Sequence, residues 1–212
     1  MTRSVKDTQP WRNPMDQSLP TEDLVRAEVS KFDRDNELPE RALKVLIEHF
    51  PENTDRAHIL LKVVAINRLY ATNIFDVYSV VNHIAERKID TDLKAGSIQL
   101  VGKMAWVPIG DKKRNNLSFA SKYCSWHRPD CYPIYDSRAE ACLWAYHEEI
   151  GLRSRKELWE YESYFEAVKR FRDRFELGKL SFKDIDKFLY HMGNALIEAK
   201  KQAKKAGKQA PV

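Results

Sequence analysis

The chain has 212 residues, of which 43% are hydrophobic and 32% charged, a composition typical of a globular protein, and its length allows one good core or two small lobes that share a cleft. No apolar run is long enough to span a membrane and the N-terminus has no apolar signal segment, so we expect a cytoplasmic protein, or a nucleoid-associated one in a bacterium, with no membrane contact. The net charge is +5, but residues 200–208 hold five lysines, and the remaining 31 basic and 31 acidic side chains balance. Nucleic-acid binding would therefore depend on local patches.

The N-terminal part of the chain changes character at residue 21. Residues 1–20 contain three prolines and few aliphatic side chains, which predicts a flexible arm without a core of its own. Thr21, followed by two acids, is typical of a helix N-cap, and apolar residues then follow at helical spacing as far as Phe32. A second short helix is predicted over 39–50, before Pro51.

The centre of the chain carries the strongest helical pattern. A helix beginning after Asp55 is apolar on almost every face from Ile59 to Tyr70, which is typical of a helix buried inside a bundle. Further helices are predicted over 73–88, 93–106 (as one or two short segments) and 115–127, with a turn at 108–113. The last of these breaks at Pro129, and helix resumes at Asp136 or Ser137.

The C-terminal part continues in the same way. A long amphipathic helix is predicted over 157–175, followed by a helix that Ser181 and Asp184 cap and that covers 185–199. No strand and no internal repeat is indicated. The sequence thus predicts an all-α fold of about eight to ten helices, with one domain over 21–199 and a basic disordered tail over 200–212.

The three cysteines, at positions 124, 131 and 142, do not suggest a metal site. No Cys-x-x-Cys pair is present, and two of the three lie within apolar helical patterns. An odd number also argues against a disulfide framework. We therefore expect buried, unreactive thiols, no metal and no four-cysteine iron–sulfur loop.

Residues 116–138 carry the clearest chemical signal. Lys122 lies within an apolar helical pattern, and Asp136 follows fourteen positions later, just after a proline-containing turn and at the start of the next helix. Helical spacing places Ser118, Phe119 and Trp126 on the face of Lys122, in partly apolar surroundings that would lower the pKa of an amine. A neutral lysine can attack a sugar carbon, and a nearby carboxylate can stabilise the positive charge that develops there.

This segment resembles the catalytic region of the 8-oxoguanine DNA glycosylase-like proteins of the helix-hairpin-helix superfamily. The resemblance implies a helical bundle with two lobes around a cleft, and residues 59–80 are similar to the core helices that precede the catalytic region. It implies a DNA glycosylase with AP-lyase activity, in which Lys122 is the nucleophile and Asp136 its electrostatic partner. The implied substrate is double-stranded DNA with a flipped base, and no metal or organic cofactor is needed.

Two further groups of residues follow from the resemblance. The base pocket would be formed by Trp126, Tyr132 and Tyr135 as stacking residues and by His127 as a hydrogen-bond partner. The hairpin of the superfamily normally carries a Gly-x-Gly turn that holds a DNA phosphate, whereas Gly110 stands alone here. Phosphate contact would then depend on side-chain charge from Lys112, Lys113 and Arg114.

Simpler interpretations of the same residues remain open. In these interpretations Asp136 is simply a helix cap, Lys122 is a surface charge, and the aromatic residues belong to the core. Two other functions are compatible with the sequence: a non-catalytic helical DNA-binding protein, and a protein-interaction module that uses the aromatic helix of residues 159–175. The sequence identifies neither the excised base nor any protein partner.

Overall fold

The computed structural model describes the backbone of residues 19–208 and the side chains of residues 19–204. This part of the chain is predominantly helical, as the sequence predicts, and contains nine α-helices, one 3₁₀ segment and a single pair of short strands. The elements in chain order are α1 (Glu22–His49), α2 (Arg56–Tyr70), α3 (Val77–Arg87), α4 (Asp90–Ala95), α5 (Gln99–Ala105), β1 (Trp106–Ile109), β2 (Lys112–Asn115), α6 (Leu117–His127), α7 (Ser137–Ala145), the 3₁₀ segment (Arg155–Trp159), α8 (Tyr161–Arg174) and α9 (Phe182–Lys208). The predicted N-terminal arm, residues 1–20, lies almost wholly outside the described residues.

Three of the predicted helix starts have side-chain caps. The hydroxyl of Thr21 accepts a hydrogen bond from the Leu24 amide at 3.3 Å, and Asp55 accepts from two amides at the start of α2. Ser181 and Asp184 exchange side-chain-to-backbone hydrogen bonds at the start of α9. Each cap satisfies amides that have no partner within the helix itself.

The two helices predicted before residue 50 form one kinked helix, α1. Asn36 has non-helical backbone angles (φ −121°, ψ 15°), and Pro39 lies inside the helix three residues later. Proline has no amide hydrogen and its ring crowds the preceding turn, so the kink falls where the sequence predicts a break. The side chain of Asn36 donates to the Phe32 carbonyl and so satisfies one acceptor near the kink.

The prediction of no strands was wrong at one place. The predicted turn at 108–113 is the centre of a β-hairpin in which β1 and β2 pair antiparallel, with Trp106 opposite Asn115 and Ile109 opposite Lys112. Gly110 takes a left-handed conformation (φ 57°) in the two-residue connection, which suits the twist of a tight hairpin. The hairpin joins α5 to α6.

The C-terminal helices differ from the prediction mainly in their limits. The helix predicted over 157–175 is divided between the 3₁₀ segment and α8. The last helix runs from Phe182 to Lys208 and does not end near Ala199, so residues 200–208 of the predicted disordered tail are helical. Residues 209–212 lie outside the described residues.

Helix α9 is the main packing partner of α7 and also contacts α1. The closest approach is at Gly193, where a Cβ atom would lie 1.9 Å from the carbonyl oxygen of Arg138 in α7. Only glycine leaves room for this contact. It fixes the start of α7, and with it Asp136, against α9. Among the described residues, no helix is both long enough and apolar enough to cross a membrane.

Candidate active site

Lys122 lies in the middle of α6 with only 2% of its surface exposed. Its Nζ donates to the Ser118 hydroxyl at 2.7 Å and to the Tyr135 carbonyl at 3.2 Å, and it lies 5.5 Å from the centre of the Tyr70 ring. Ser118 is one helical turn before the lysine, as the sequence predicts. Burial lowers the pKa of the Lys122 amine, while the charges of Asp136 and Asp186 oppose this shift and that of Arg138 adds to it.

Asp136 is the N-cap of α7 and lies beside this lysine. Its Oδ1 accepts hydrogen bonds from the amides of Arg138 (2.8 Å) and Ala139 (2.9 Å). Its Oδ2 lies 3.9 Å from Lys122 Nζ, and both side chains are almost completely buried. The capping role and the pairing with Lys122 are therefore compatible, because the two roles use different oxygens of one carboxylate.

The turn between α6 and α7 is held on both sides. Tyr161 and Tyr164 of α8 each donate a hydroxyl to a turn carbonyl at 2.7 Å, that of Pro133 and of Ile134 respectively. The Ser121 hydroxyl accepts from the Tyr135 amide at 3.0 Å. These bonds fix the Tyr135 carbonyl and the Asp136 side chain relative to α6, so the surroundings of Lys122 are formed in advance.

Lys122 and Asp136 both line a cavity of about 490 Å³. This volume is within the usual range for small-molecule pockets. The walls come from α1, from residues 69–73 at the end of α2, and from α6, α7 and α9. Four aromatic residues and several ionisable side chains line it in addition to the central pair: Phe32, Tyr70, Tyr135, Tyr190, Glu40, Arg138, Lys183, Asp186 and Lys187.

Two lysines and one aspartate of α9 in this wall were not predicted: Lys183, Lys187 and Asp186. Lys183 lies 3.6 Å from the centre of the Trp126 ring and 2.8 Å from Glu40 in α1, and burial lowers the pKa of its amine. Asp186 is 5% exposed; burial raises the pKa of its carboxyl group well above the usual value, and the charge of Asp136 adds to this. The signal for Asp186 in the sequence is an acid among the apolar residues of a helix, next to Ile185 and two residues before Phe188.

The four predicted base-contact residues separate into two groups. Tyr135 lines the cavity and packs edge-on against Tyr164. Trp126 lies behind the cavity wall, with its Nε1 donating to the Tyr70 hydroxyl at 3.0 Å. Tyr132 is fully buried, and its hydroxyl donates to carbonyls of residues 92 and 97. Trp126, His127 and Tyr132 are not among the residues that line the cavity.

His127 belongs to a different buried cluster, centred on Lys62 of α2. The Lys62 amine donates to the carbonyls of Phe50 and Glu52 and to the side chain of Asn53 at 2.6 Å, and it lies 3.4 Å from His127 Nε2. Burial lowers the pKa of His127 to about 3, and the Lys62 charge adds to this. Burial also lowers the pKa of Lys62 to about 8. The cluster satisfies carbonyls just after α1 and so has a structural explanation.

The predicted phosphate-contact residues lie on β2. Lys112 and Lys113 are exposed, whereas Arg114 donates to the Asn73 carbonyl at 2.9 Å and lies over the Phe75 ring. Asn73 lines the cavity, so the basic strand is joined to one wall of it. Phe75 is 83% exposed. The hairpin and this loop thus form a basic and aromatic surface beside the cavity.

The three cysteines are free thiols, and Cys124 and Cys142 are buried. Burial raises the pKa of both thiols above the usual range. Within the described residues, no group of three or more His, Cys, Asp or Glu side chains is arranged to hold a metal ion.

Comparison with known proteins gives a family but no activity. The chain is 37% identical over 138 residues to an uncharacterized protein of Haemophilus influenzae (strain ATCC 51907 / DSM 11121 / KW20 / Rd). The match covers 64% of this chain. It covers 66% of the relative, which is just under two thirds of the relative's length. No solved structure matches the chain significantly. The model of the HI_0787_N family, described as an N-terminal domain, matches residues 24–131, about half of the chain. The chain therefore belongs to the HI_0787_N family.

Proposed function

We propose that this protein is a DNA glycosylase with AP-lyase activity, a divergent relative of the helix-hairpin-helix glycosylases that removes a damaged or modified base through Lys122. The observation that carries the proposal is the buried pair of Lys122 Nζ and Asp136 Oδ2, 3.9 Å apart, in the wall of a cavity large enough for a nucleobase. A buried lysine with a lowered pKa beside a carboxylate is the arrangement that amine nucleophiles require.

The reaction can be written with these two side chains and solvent water as the source and acceptor of protons. The neutral amine of Lys122 uses its lone pair to attack C1′ of the sugar while the bond from C1′ to the base breaks, and the base leaves with that electron pair and takes up a proton. The sugar ring then opens, with O4′ accepting a proton, and the Lys122 nitrogen forms an imine with C1′. Water then takes a proton from C2′, the electron pair of that C–H bond forms a C2′–C3′ double bond, and the bond from C3′ to the 3′ oxygen breaks, so that the 3′ phosphate leaves and the strand is cut.

Asp136 has a separate part in this sequence. Positive charge develops on the sugar as the bond to the base lengthens, and a fixed carboxylate nearby stabilises that charge. The two helical amides that bind its Oδ1 keep the carboxylate in place without using Oδ2. The oxygen that faces Lys122 therefore remains available to the reacting sugar.

The cavity and its surroundings suit a flipped base. Phe32, Tyr70, Tyr135 and Tyr190 provide aromatic surface within it, and stacking on such surface compensates for the stacking that the base loses when it leaves the duplex. The duplex would contact the hairpin, where Lys112 and Lys113 are exposed next to the loop that carries Phe75. Trp126, His127 and Tyr132, which do not line the cavity, have no direct contact with the base in this proposal.

The test is covalent trapping. Purified protein is incubated with duplexes that contain 8-oxoguanine, uracil or an abasic site, and borohydride is added to reduce any imine. We expect a protein–DNA adduct with the wild-type protein and no adduct with Lys122→Gln, because an amide nitrogen cannot form an imine.

A matched control separates the site from the other buried lysine. Lys62 is also fully buried and has a lowered pKa, but it lies in the cluster with His127 and not in the cavity. Lys62→Gln should therefore still form the adduct if the protein folds. An adduct that persists in Lys122→Gln would contradict the proposed mechanism.

A binding-only function is the second candidate, and one observation favours it. Lys122 already donates to Ser118 and to the Tyr135 carbonyl, so it can be interpreted as a structural lysine that joins α6 to the turn. In that case the protein would bind modified DNA in a salt-dependent way, release no base and form no adduct with any duplex.

A further inference from the structure

Arg138 lies in the first turn of α7 and lines the cavity. The other cations of the cavity wall form ion pairs: Lys122 with Asp136, Lys183 with Glu40, and Lys187 with Asp33. Within the part of the chain that the structure describes, Arg138 forms no ion pair, and Glu140 on the same helix is bound by Arg155. Of the described cations in the wall, Arg138 alone has a charge that no carboxylate neutralises.

Helix α9 holds the guanidinium of Arg138 in place without an acid. The Nε atom donates to the side chain of Asn194 at 3.2 Å, and the central carbon of the guanidinium lies 5.1 Å from the centre of the Tyr190 ring. Tyr190 also lines the cavity and packs edge-on against Phe32 of α1, another cavity residue. The guanidinium therefore lies against the part of the wall that these two rings form.

The other two nitrogens of this guanidinium are unused and accessible. Among the described residues, neither Nη atom has a hydrogen-bond partner, and neither belongs to the buried side-chain atoms that lack one. The side chain as a whole is partly exposed. The two Nη atoms of an arginine form a planar fork of N–H donors that matches the oxygens of a phosphate or carboxylate. Arg138 thus offers an anion-binding group at the cavity.

A phosphate group is the anion that the neighbouring residues favour. The Arg138 amide binds Asp136 Oδ1 at 2.8 Å, so the arginine adjoins the pair at which the proposed reaction places the sugar. In a nucleotide the phosphates are attached to that same sugar. We propose that Arg138 is the phosphate-binding residue of the cavity, with its Nη atoms donating to a phosphate of the nucleotide whose base occupies the cavity.

This inference deepens the proposed function and rests on it for the position of the sugar. The phosphate can belong to a DNA strand or to a free nucleotide, because both present the same oxygens to the guanidinium. Two series of measurements therefore distinguish the two sources. One uses duplexes and the other uses a free mononucleotide, and the second does not depend on any cleavage reaction.

The duplex series measures apparent Kd from single-turnover release of 8-oxoguanine or uracil. Either phosphate that flanks the target nucleotide is replaced by an uncharged methylphosphonate. We expect one of these replacements to weaken binding by the wild type about tenfold, since it removes a charge-assisted hydrogen bond. Arg138→Gln should show the same loss on the unmodified duplex and no further loss on that methylphosphonate duplex. Arg138→Lys, which keeps the charge, should lose less.

The mononucleotide series compares 2′-deoxyguanosine 5′-monophosphate with 2′-deoxyguanosine by calorimetric titration. If the source is a free nucleotide, the monophosphate should bind the wild type about tenfold or more tightly than the nucleoside, and this difference should disappear in Arg138→Gln. Arg153→Gln is the matched control, because Arg153 is exposed and does not line the cavity. This control should behave like the wild type in both series.

The outcomes separate this inference from the proposed function. Phosphate-dependent binding in the duplex series alone would support the site and identify a DNA strand as its ligand. If the wild type released no base but bound the monophosphate through Arg138, the proposed function would be wrong and the site would stand, with a free nucleotide as ligand. Equal effects of Arg138→Gln and Arg153→Gln, or no dependence on phosphate in either series, would overturn the inference.

Discussion

Burial affects the two partners of the Lys122–Asp136 pair in different ways. The lysine loses hydration, which lowers the pKa of its amine and favours the neutral, nucleophilic form. The aspartate is buried too, but two helical amides at the start of α7 compensate for the lost hydration of its carboxylate. The site therefore combines an amine whose pKa is lowered with a carboxylate that backbone amides hold in place.

The pH dependence of cleavage follows from this balance. In the proposed reaction only the neutral amine attacks, so the single-turnover rate of strand cleavage should rise with pH as Lys122 loses its proton and should then level off. Because the pKa in the folded protein is lower than 10.5, the midpoint of the rise should also lie below 10.5. Across the same range the free energy of unfolding should increase with pH, since the unfolded chain binds the additional proton.

The substitution Asp136→Asn tests how the charge of Asp136 affects Lys122. Loss of the negative charge removes an interaction that raises the pKa of Lys122, so the midpoint should move to lower pH. The plateau rate should fall roughly 100-fold, because the developing positive charge loses its stabilising partner. The helix start should remain intact, since asparagine caps helices about as well as aspartate. An unchanged midpoint would show that the two side chains do not interact.

The residues of the site were predictable to different degrees. The resemblance to the glycosylases paired Lys122 with Asp136, and the helix, proline turn and cap between them bring the two side chains to 3.9 Å. Tyr135 lies in the same turn. Asp186 and Lys183 come from a helix that lies far along the chain, and only tertiary packing brings them into the cavity. The sequence gave no sign that His127, five residues after Lys122, faces Lys62 of α2 and not the cavity.

At the scale of elements, the hairpin shows where pattern analysis fails. Strand β2 has the sequence Lys-Lys-Arg-Asn, which contains no apolar residue and therefore no alternation. Its partner β1 holds Pro108, which is unusual inside a strand. The hairpin is maintained by its glycine turn and by contacts with its neighbours, such as the bond from Arg114 to the Asn73 carbonyl. Several helices were predictable because a side-chain cap marks their start, as at Thr21, Asp55 and Asp136, and apolar residues then recur at helical spacing.

The contact between α7 and α9 leads to a prediction about a residue that is not in the cavity. Gly193→Ala would place a Cβ atom against the Arg138 carbonyl and push α7 away from α9. We expect a loss of about 1–3 kcal/mol in the free energy of unfolding, measured by denaturant titration. Cleavage should also slow, because Asp136 would move away from Lys122.

Gly102→Ala is the control for this change. Gly102 also lies inside a helix, but a Cβ atom there would make only an ordinary contact at 3.7 Å. This variant should be as stable as the wild type or slightly more so, by up to about 1 kcal/mol. If both substitutions changed the free energy of unfolding equally, the close contact at Gly193 would not be the cause of the loss.

At the scale of the whole molecule, the net positive charge comes from one segment, residues 200–208. Outside residues 200–208 the numbers of basic and acidic side chains are equal, so DNA binding by this part of the chain would depend on local basic patches such as the hairpin. In the double variant Lys112→Gln/Lys113→Gln, we expect the slope of log affinity against log salt to decrease by about 0.9 for each DNA phosphate that the variant no longer neutralises. The measurement is a salt titration of duplex binding.

A charge-matched variant tests whether this effect is local. Lys156→Gln/Lys169→Gln removes the same two charges from the 3₁₀ segment and α8, where Lys169 pairs with Glu166. We expect its slope to remain close to that of the wild type. The same decrease in both variants would mean that overall charge, and not the hairpin, determines binding.

The short turn between Cys131 and Asp136 lies between the segment that defines the family and the carboxylates of the proposed site. The family match ends at Cys131, so it includes Lys122 but excludes Asp136, Arg138 and Asp186. A homologue can therefore match the shared N-terminal domain and have different residues at the positions of Asp136 and Asp186. Transfer of an activity between members accordingly requires comparison of the segment after the turn.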